Sequence, residues 1–328
     1  MSSHTIANDK IPADYIGIRG HICLPRVQSD MRVPDNALRS VGFVSEVVHS
    51  DPTTGEELDH FATGFFVSMP STAVRGMFFM YFVTAKHVAR DLQGRDIRLV
   101  VNRKGSGIKQ VKGIGKVFWG HPSDEAADVA VLPIFAEPDM DTVYVPIKDF
   151  VTPEMIRENW RVGIGDEVFI AGLFTYVPGE DRVVPLIRHG NIAMLPEHKI
   201  QTDLGFADVY LIESRSIGGI SGSPVFVRPT ILLSYEQSGE QRRIEPTFGV
   251  GGTAFLGVMH GHWDVRESEL NNPKLAHSSL HGVNLGIAIV TPAHKLLETL
   301  NRSELIVMRE LIEQNYKRSI TPTTDSGK

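Results

Sequence analysis

The hydrophobic positions along the chain form many short runs that are separated by turn residues. From about residue 37 onward, apolar runs alternate with polar segments rich in Gly, Pro, Asn and Asp, which is typical of β-strands joined by turns. Many short strands with few helices predict an all-β architecture. The predicted strands are residues 40–49, 64–68, 77–84, 97–101, 129–134, 167–173, 182–187, 191–195, 209–213, 224–227, 247–251, 255–259 and 285–289.

Three helices are predicted beside the strands. The sequence Thr-Pro-Glu at residues 152–154 offers an N-cap, a proline at the first helical position and an early acid. A second Thr-Pro start at residues 291–292 predicts a helix after the last strand, and a third helix follows residues 301–304. The third helix has an apolar stripe, which we expect to pack on the β-structure, with a surface for a partner protein as the alternative. The stripe consists of Leu305, Met308, Leu311 and Ile312.

The strand pattern is interrupted at residues 148–160, near the middle of the chain, and this interruption divides the strands into two groups. We expect an N-terminal arm at residues 1–35, a first β-barrel at 36–147, a linker at 148–160, a second β-barrel at 161–300 and a helical tail at 301–328. The pattern by itself predicts two all-β units packed side by side.

Composition narrows the class of protein. The 328 residues are 42% hydrophobic and 22% charged, as is usual for globular chains, and the net charge of 33 − 39 = −6 lacks the basic excess of a nucleic-acid binder. The most apolar run, residues 77–83, is too short to cross a bilayer, and the N-terminus lacks a secretory pattern. Cys23 is the only cysteine, so no internal disulfide can form. We therefore expect a soluble cytoplasmic protein without nucleic-acid or membrane partners.

Three residues in different parts of the chain suit nucleophilic catalysis. His87 ends an apolar run, Asp128 stands at the head of a buried strand, and Ser221 lies between glycines. A serine hydroxyl needs a base, His is the base suited to neutral pH, and an acid orients the imidazole. Backbone N–H groups must stabilise the oxyanion, and glycines allow the tight turn that gathers them. Asp124 and Glu125 are the alternative acids.

Together these stretches resemble the trypsin-like serine peptidases of the chymotrypsin fold. Residues 84–87 carry the Thr-Ala-x-His motif, residues 128–132 the Asp-[Ile/Val]-Ala-[Val/Leu]-Leu motif, and residues 219–224 the Gly-x-Ser-Gly-x-Pro motif. The order His, Asp, Ser is that of the chymotrypsin fold. Ser216 and Ser223 do not fall in the register of the motif. Further stretches that agree with the family in order are residues 63–67, 163–172, 190–193 and 284–290.

The resemblance covers roughly residues 36–300 and implies two six-stranded antiparallel β-barrels. It also implies a serine endopeptidase that acts on a protein or peptide substrate through an acyl-enzyme, with no metal or other cofactor. In this interpretation His87 is the general base, Asp128 orients it and Ser221 is the nucleophile. The N–H groups of Gly219 and Ser221 would form the oxyanion hole.

Several positions depart from the family pattern. Ile220 precedes the nucleophile where secreted members carry an Asp that pairs with a new N-terminus, so another interaction must order the oxyanion loop. Arg215 would favour an acidic residue before the cut if it lines the substrate pocket, and a solvent-facing Arg is the alternative. Met259, His260 and Gly261 lie on the predicted substrate-pairing strand, and family members often have a small residue in place of His260.

Two alternatives to an active endopeptidase stay open from the sequence. One is a protease-fold module that binds peptides without turnover. The other is a protease held inactive until a regulatory protein partner orders its oxyanion loop. Four histidines also have the spacing of a zinc site, but we favour scattered surface histidines and expect no metal. These are His260, His262, His277 and His281.

Overall fold

The structure is a computed structural model of the chain, and it describes residues 33–53, 55–114, 119–157, 162–214, 219–229, 232–238, 241–247, 252–265 and 283–320. Most of the predicted N-terminal arm lies outside these ranges, and so do Cys23, Arg215, His277 and His281. None of the described helices is long and apolar enough to span a membrane.

The described secondary structure is mainly strands, with short helices between them and two helices at the C-terminal end. The strands are β1 (Val41–Asp51), β2 (Gly55–Pro70), β3 (Phe78–Thr84), β4 (Ile97–Asn102), β5 (Ile108–Lys112), β6 (Ala130–Ile134), β7 (Val145–Pro146), β8 (Glu167–Gly172), β9 (Leu186–Met194), β10 (Ile200–Thr202), β11 (Gly205–Ala207), β12 (Tyr210–Glu213), β13 (Pro224–Arg228), β14 (Leu232–Ser238), β15 (Gln241–Thr247), β16 (Ala254–Val265) and β17 (Val283–Pro292). The helices are α1 (Asp35–Arg39), α2 (Lys86–Asp91), α3 (Pro153–Arg157), α4 (Ala293–Leu300) and α5 (Ser303–Ile320).

The first group of strands forms a seven-stranded sheet. Six strands follow the order β5-β4-β1-β2-β3-β6 with antiparallel neighbours, and the two-residue strand β7 pairs in parallel with β2. The inner half of β2 is buried on both faces. Ala62 and Phe66 point into the core of this sheet, whereas Phe65 and Val67 point towards the second group of strands. β2 therefore lies between two apolar cores.

Six strands of the second group close into an antiparallel barrel, and the pairs β10–β11 and β14–β15 form two separate two-stranded sheets. The strands of the barrel follow the order β12-β17-β16-β13-β8-β9, and its interior holds apolar side chains such as Ile170, Ile212 and Leu256. The predicted all-β architecture is confirmed. This barrel corresponds to the second of the two six-stranded barrels that the resemblance implies, and the seven-stranded sheet stands in the place of the first.

A shared core of apolar side chains joins the two groups of strands. The ring of Phe65 in β2 lies 5.1 Å from that of Phe255 in β16, which lies 4.8 Å from the ring of Phe150. Leu296 of α4 and Leu305 of α5 belong to the same buried cluster. The two sheets and the C-terminal helices thus share one interior.

The predicted helices are confirmed, with one correction in the last. α3 begins at Pro153 as expected, and Thr152 Oγ1 accepts a hydrogen bond from a backbone N–H of its first turn at 3.4 Å. In α5, Leu305 is buried, but Leu311 is 55% exposed and is not part of the packing face. At about 100° per residue, Leu311 lies at the edge of the stripe, about 120° around the helix from Leu305. The buried side of the helix instead runs from Leu305 through Arg309 to Glu313.

Some strands and two short helices, α1 and α2, were not predicted. β5, β7, β10, β11 and β14 were missed because they are short or polar. β5 is half-buried along most of its length and lies at the edge of the seven-stranded sheet. The single strand β9 contains most of the predicted strand at residues 191–195 but only the last two residues of the one at 182–187. The predicted strand at residues 247–251 overlaps β15 only at Thr247, and residues 248–251 lie outside the described residues.

Candidate active site

His87 lies in the first turn of α2, directly after the buried strand β3. β3 ends at Thr84, Ala85 is extended, and α2 starts at the next residue. The inward face of this short helix, which includes Val88, packs in the core of the first sheet. The side chain of His87 keeps 29% of its surface exposed, so it can reach both a buried partner and a bound molecule.

Asp128 contacts His87 through both carboxylate oxygens. Oδ2 accepts a hydrogen bond from His87 Nδ1 at 2.7 Å, and Oδ1 accepts one from the backbone N–H of His87 at 2.9 Å. The side chain of Asp128 is fully buried. This two-point contact fixes the imidazole and places the ring proton on Nδ1, which leaves Nε2 as the basic nitrogen.

The surroundings of this pair shift the two pKa values in opposite directions. Burial lowers the pKa of His87, but the hydrogen bond to Asp128 and its charge outweigh burial, so the pKa lies above its ordinary value. Burial raises the pKa of Asp128, but the hydrogen bond from His87 and the charges of the neighbouring imidazoles outweigh burial. The pKa of Asp128 therefore lies below its ordinary value. Asp128 is therefore a carboxylate at neutral pH, and it makes His87 a stronger base.

The alternative acids, Asp124 and Glu125, are paired with lysines and brace the loop that precedes Asp128. Lys295 Nζ of α4 lies 3.2 Å from Asp124 Oδ2. Lys86 Nζ donates to the backbone carbonyl of Glu125 and lies 3.0 Å from its carboxylate. Of the three acids that the sequence offered, the structure brings Asp128 to the histidine.

Ser221 lies in a tight loop, residues 219–222, which leads into β13 and is called the Ser221 loop below. Gly219 and Gly222 have φ angles of 93° and 82°, which strongly favour glycine. The side chain of Ile220 is buried in the barrel core, whereas Ser221 is half-buried. The loop is thus anchored by its apolar residue and presents the serine beside it.

Backbone hydrogen bonds hold the Ser221 loop between the two sheets. The carbonyl of Ser221 accepts a hydrogen bond from the N–H of Thr63 in β2 at 3.1 Å. The N–H of Gly222 donates to the carbonyl of Met259 in β16 at 2.8 Å. The peptide group that follows the serine is therefore fixed from both sides.

Gly222 makes the close approach that brings this loop to the histidine segment. A Cβ atom at this position would lie 2.2 Å from both the Thr63 carbonyl oxygen and Thr84 Oγ1, and 2.9 Å from the backbone nitrogen of Ala85. Ala85 is only two residues before His87. The glycine of the Gly-x-Ser-Gly motif thus allows the serine segment and the histidine segment to meet.

One solved structure has a low similarity to this chain. The crystal structure of the MamO protease domain from Magnetospirillum magneticum (apo form) is similar with a TM-score of 0.45 and 14% sequence identity, and the match covers 81% of this chain and 98% of that chain. No protein-family model matches the chain, and no curated protein matches it. A likeness at this level carries no information on activity.

His260 is a second histidine beside Asp128. Its Nε2 lies 3.7 Å from Asp128 Oδ2, and its ring centroid lies 6.0 Å from that of His87. Burial lowers its pKa, so it is a neutral imidazole at pH 7. The expectation of a surface histidine is wrong here, because His260 is only 8% exposed. Successive side chains of a strand point to opposite faces, so Met259 points into the barrel and His260 points towards Asp128.

The same three side chains also form the type of set that can hold a metal ion. The ligand atoms of His87, Asp128 and His260 lie within 4.8 Å of one another. Two imidazole nitrogens and a carboxylate oxygen are ligands that Zn²⁺ accepts. In this structure, however, the His87 nitrogen and the Asp128 oxygen are joined directly by a hydrogen bond, as an acid–base pair requires.

The other residues predicted for the substrate pocket have different places. The Met259 side chain is fully buried in the barrel core, and its N–H donates to the carbonyl of Ser223 at 2.9 Å. Its contribution is therefore to support the Ser221 loop through the backbone. Gly261 is half-buried in β16, and Arg215 lies outside the described residues.

Two buried polar residues that join distant segments, one beside the site and one in α5, were not singled out from the sequence. Thr63 is fully buried between β3 and the Ser221 loop. Residues 63–67 were among the stretches that agree with the family in order, and this was a signal that could have identified Thr63. Arg309 of α5 donates to the Tyr81 hydroxyl at 2.9 Å and to the Leu300 carbonyl at 2.6 Å. No pattern pointed to a buried arginine in that helix.

Proposed function

We propose that the protein is a serine endopeptidase that hydrolyses peptide bonds of a protein or peptide substrate. The observation that supports this proposal most strongly is the two-point contact of buried Asp128 with His87. The close packing of the Ser221 loop against the histidine segment adds to it. Together these features support His87 as the general base and the glycine-flanked Ser221 as the nucleophile.

In the proposed reaction, Ser221 Oγ attacks the carbonyl carbon of the scissile peptide bond. His87 Nε2 takes the serine proton and delivers it to the nitrogen of the leaving amine, while Asp128 stabilises the imidazolium. An acyl-enzyme forms and the first product leaves. His87 then takes a proton from water, the water oxygen attacks the ester carbonyl, and the proton returns to Ser221.

The backbone of the Ser221 loop suits the stabilisation of a tetrahedral oxyanion. The Ile220 carbonyl accepts a hydrogen bond from the N–H of Ser223 at 3.0 Å. A trans peptide holds its C=O and N–H in opposite directions, so the N–H of Ser221 points away from this bond. Gly219 supplies the second proposed donor. Donors that are fixed before the reaction provide the largest stabilisation of the transition state.

The substitution Ser221→Ala tests the proposal directly. We expect it to abolish both peptide cleavage and covalent labelling by a fluorophosphonate probe, because the attacking oxygen is removed. Ser223→Ala is the matched control. Its hydroxyl is buried and has no hydrogen-bond partner among the described residues, so the control variant should label like the wild type. Equal labelling of Ser221→Ala and wild type would overturn the assignment.

The same experiment addresses the two alternatives. Wild-type protein that neither labels nor cleaves would favour a peptide-binding module. Labelling that appears only after a cell lysate is added would favour control by a regulatory partner. The cytoplasmic location and the residue preferred before the cut stay predictions of the sequence.

A further inference from the structure

We propose that the hydroxyl of Thr63 is the positioning group that orders the oxyanion loop of this protein. The sequence raised the question, because Ile220 cannot form the ion pair that orders this loop in secreted relatives. This inference rests on the proposed function and adds how the site would be regulated. The loop would be ordered by a residue of the fold itself, without a new N-terminus or a partner protein.

All the hydrogen-bonding groups of Thr63 are used, and they join separate segments. Its hydroxyl donates to the carbonyl of Gly219 at 2.7 Å and accepts a hydrogen bond from the N–H of Leu173 at 2.9 Å. Its backbone N–H donates to the carbonyl of Ser221 at 3.1 Å, and its carbonyl accepts a hydrogen bond from Thr84 Oγ1 at 2.7 Å. One residue of β2 thereby ties the Ser221 loop to both sheets.

The hydroxyl acts at the point where the loop has the most conformational freedom. Gly219 has a φ angle of 93°, and a glycine reaches many other conformations at little cost. The bond to its carbonyl fixes the plane of the peptide group between Gly219 and Ile220. Without that bond, the described contacts that hold the loop would begin at Ile220, and the peptide group before it would be free to turn.

The environment makes this bond strong and specific. Thr63 and Leu173 are fully buried, so water cannot easily replace a missing partner. Removal of the hydroxyl would leave the Gly219 carbonyl and the Leu173 N–H unpaired at the same time. The loop would then gain by turning the Gly219 carbonyl towards another donor, which would displace the neighbouring oxyanion donors.

The test compares three variants in steady-state peptide cleavage and in the rate of fluorophosphonate labelling. Thr63→Val keeps the shape and both backbone groups but removes the hydroxyl, and we expect kcat and the labelling rate to fall about 10- to 100-fold, with KM within about twofold. Thr63→Ser keeps a hydroxyl and should stay within about threefold of wild type. Thr202→Val is the matched control. The buried hydroxyl of Thr202 also donates to a carbonyl, that of Gly205, and also accepts a hydrogen bond from a backbone N–H, that of Leu204.

A second measurement tests the ordering role without catalysis. In the Ser221→Ala background, Thr63→Val should speed amide hydrogen exchange in residues 219–223 by about tenfold or more, whereas Thr202→Val should leave that segment unchanged. If Thr63→Val does not fold, Thr63→Cys, a weaker donor of similar size, replaces it in both measurements.

The outcomes separate this inference from the proposed function. Thr63→Val with wild-type kcat and wild-type exchange would overturn the role of the hydroxyl. If the wild type shows no cleavage or labelling, the proposed function fails, and the exchange comparison alone decides whether Thr63 orders the loop.

Discussion

The two halves of the candidate site are held by different kinds of interaction. The His87–Asp128 pair depends on side chains, because the buried carboxylate of Asp128 accepts hydrogen bonds from both the ring nitrogen and the backbone N–H of His87. The Ser221 loop depends on the backbone, through two glycines with positive φ and hydrogen bonds from β2 and β16. Thr63 is the side chain that adds to the second half.

This difference has a chemical reason. A base must have the right proton affinity, which is set by charge and burial around one imidazole. An oxyanion hole must have the right geometry, which is set by the directions of peptide N–H groups. We therefore expect the first half to be sensitive to the identity of side chains and the second to the conformation of the backbone.

The largest effect should come from the carboxylate. Asp128→Asn keeps the shape but offers His87 an amide, which can favour the wrong tautomer, and we expect kcat to fall by about 10⁴-fold. Asp124→Asn, which changes the acid paired with Lys295, is the control and should keep most of the activity. Comparable losses in the two variants would mean that Asp128 has no special role.

A backbone change in the other half should have the next largest effect. Gly222→Ala forces a side chain into a positive φ and against the Thr63 carbonyl, 2.2 Å from the new Cβ. We expect kcat to fall by about 10²-fold or more, and the free energy of unfolding by about 1–3 kcal/mol. Gly252→Ala is the control, because its Cβ would meet no atom within 4 Å. Chemical denaturation and peptide cleavage measure the two effects, and a fully active Gly222→Ala variant would contradict this account of the loop.

The pKa of His87 should give a smaller effect, on the pH dependence of cleavage, and this effect tests the His87–Asp128 half of the site alone. The base must be neutral to accept the serine proton, and its pKa is raised, so kcat/KM should rise with pH through an apparent pKa above the usual histidine value of about 6.5. Histidine NMR in the Ser221→Ala background should show the same direction. Adding Asp128→Asn should move the pKa of His87 down, since burial would then dominate. An unchanged pKa would contradict the coupling.

The smallest effect on activity should come from a buried group outside both halves. Arg309→Met removes the hydrogen bonds to Tyr81 and Leu300, and we expect the free energy of unfolding to fall by about 1–3 kcal/mol while kcat stays near wild type. Arg302→Met, at an exposed arginine paired with Glu304, should change stability less. A large loss of kcat at 25 °C in Arg309→Met would show that α5 shapes the site.

Local motifs were informative where a residue and its role lie within one segment. The motif around His87 and the acid at the head of β6 were predicted as separate pieces, and the structure brings them into contact. The contact of His260 with Asp128 was not predictable, because it depends on the packing of β16 from the other sheet against the first. The partners of Thr63 were hidden for the same reason.

The gap between the predicted strands at residues 182–187 and 191–195 contains a glycine that belongs to a strand. Gly190 lies inside β9, where a Cβ would be 2.1 Å from the Glu213 carbonyl oxygen. The residue is needed for a close approach of neighbouring strands, which a single sequence does not distinguish from a turn. α2 was missed because six residues are too few to show a helical period.

The interior shared by both sheets also bears on how the protein is made. Phe65 and Tyr81 leave the ribosome long before Phe255, Leu296 and Leu305, with which they pack. A nascent chain that lacks the C-terminal helices therefore has an incomplete interior and cannot settle into its final form. We expect the proposed hydrolytic activity to arise only after α4 and α5 have been synthesised, so that the order of translation would protect the ribosome and neighbouring nascent chains from premature cleavage.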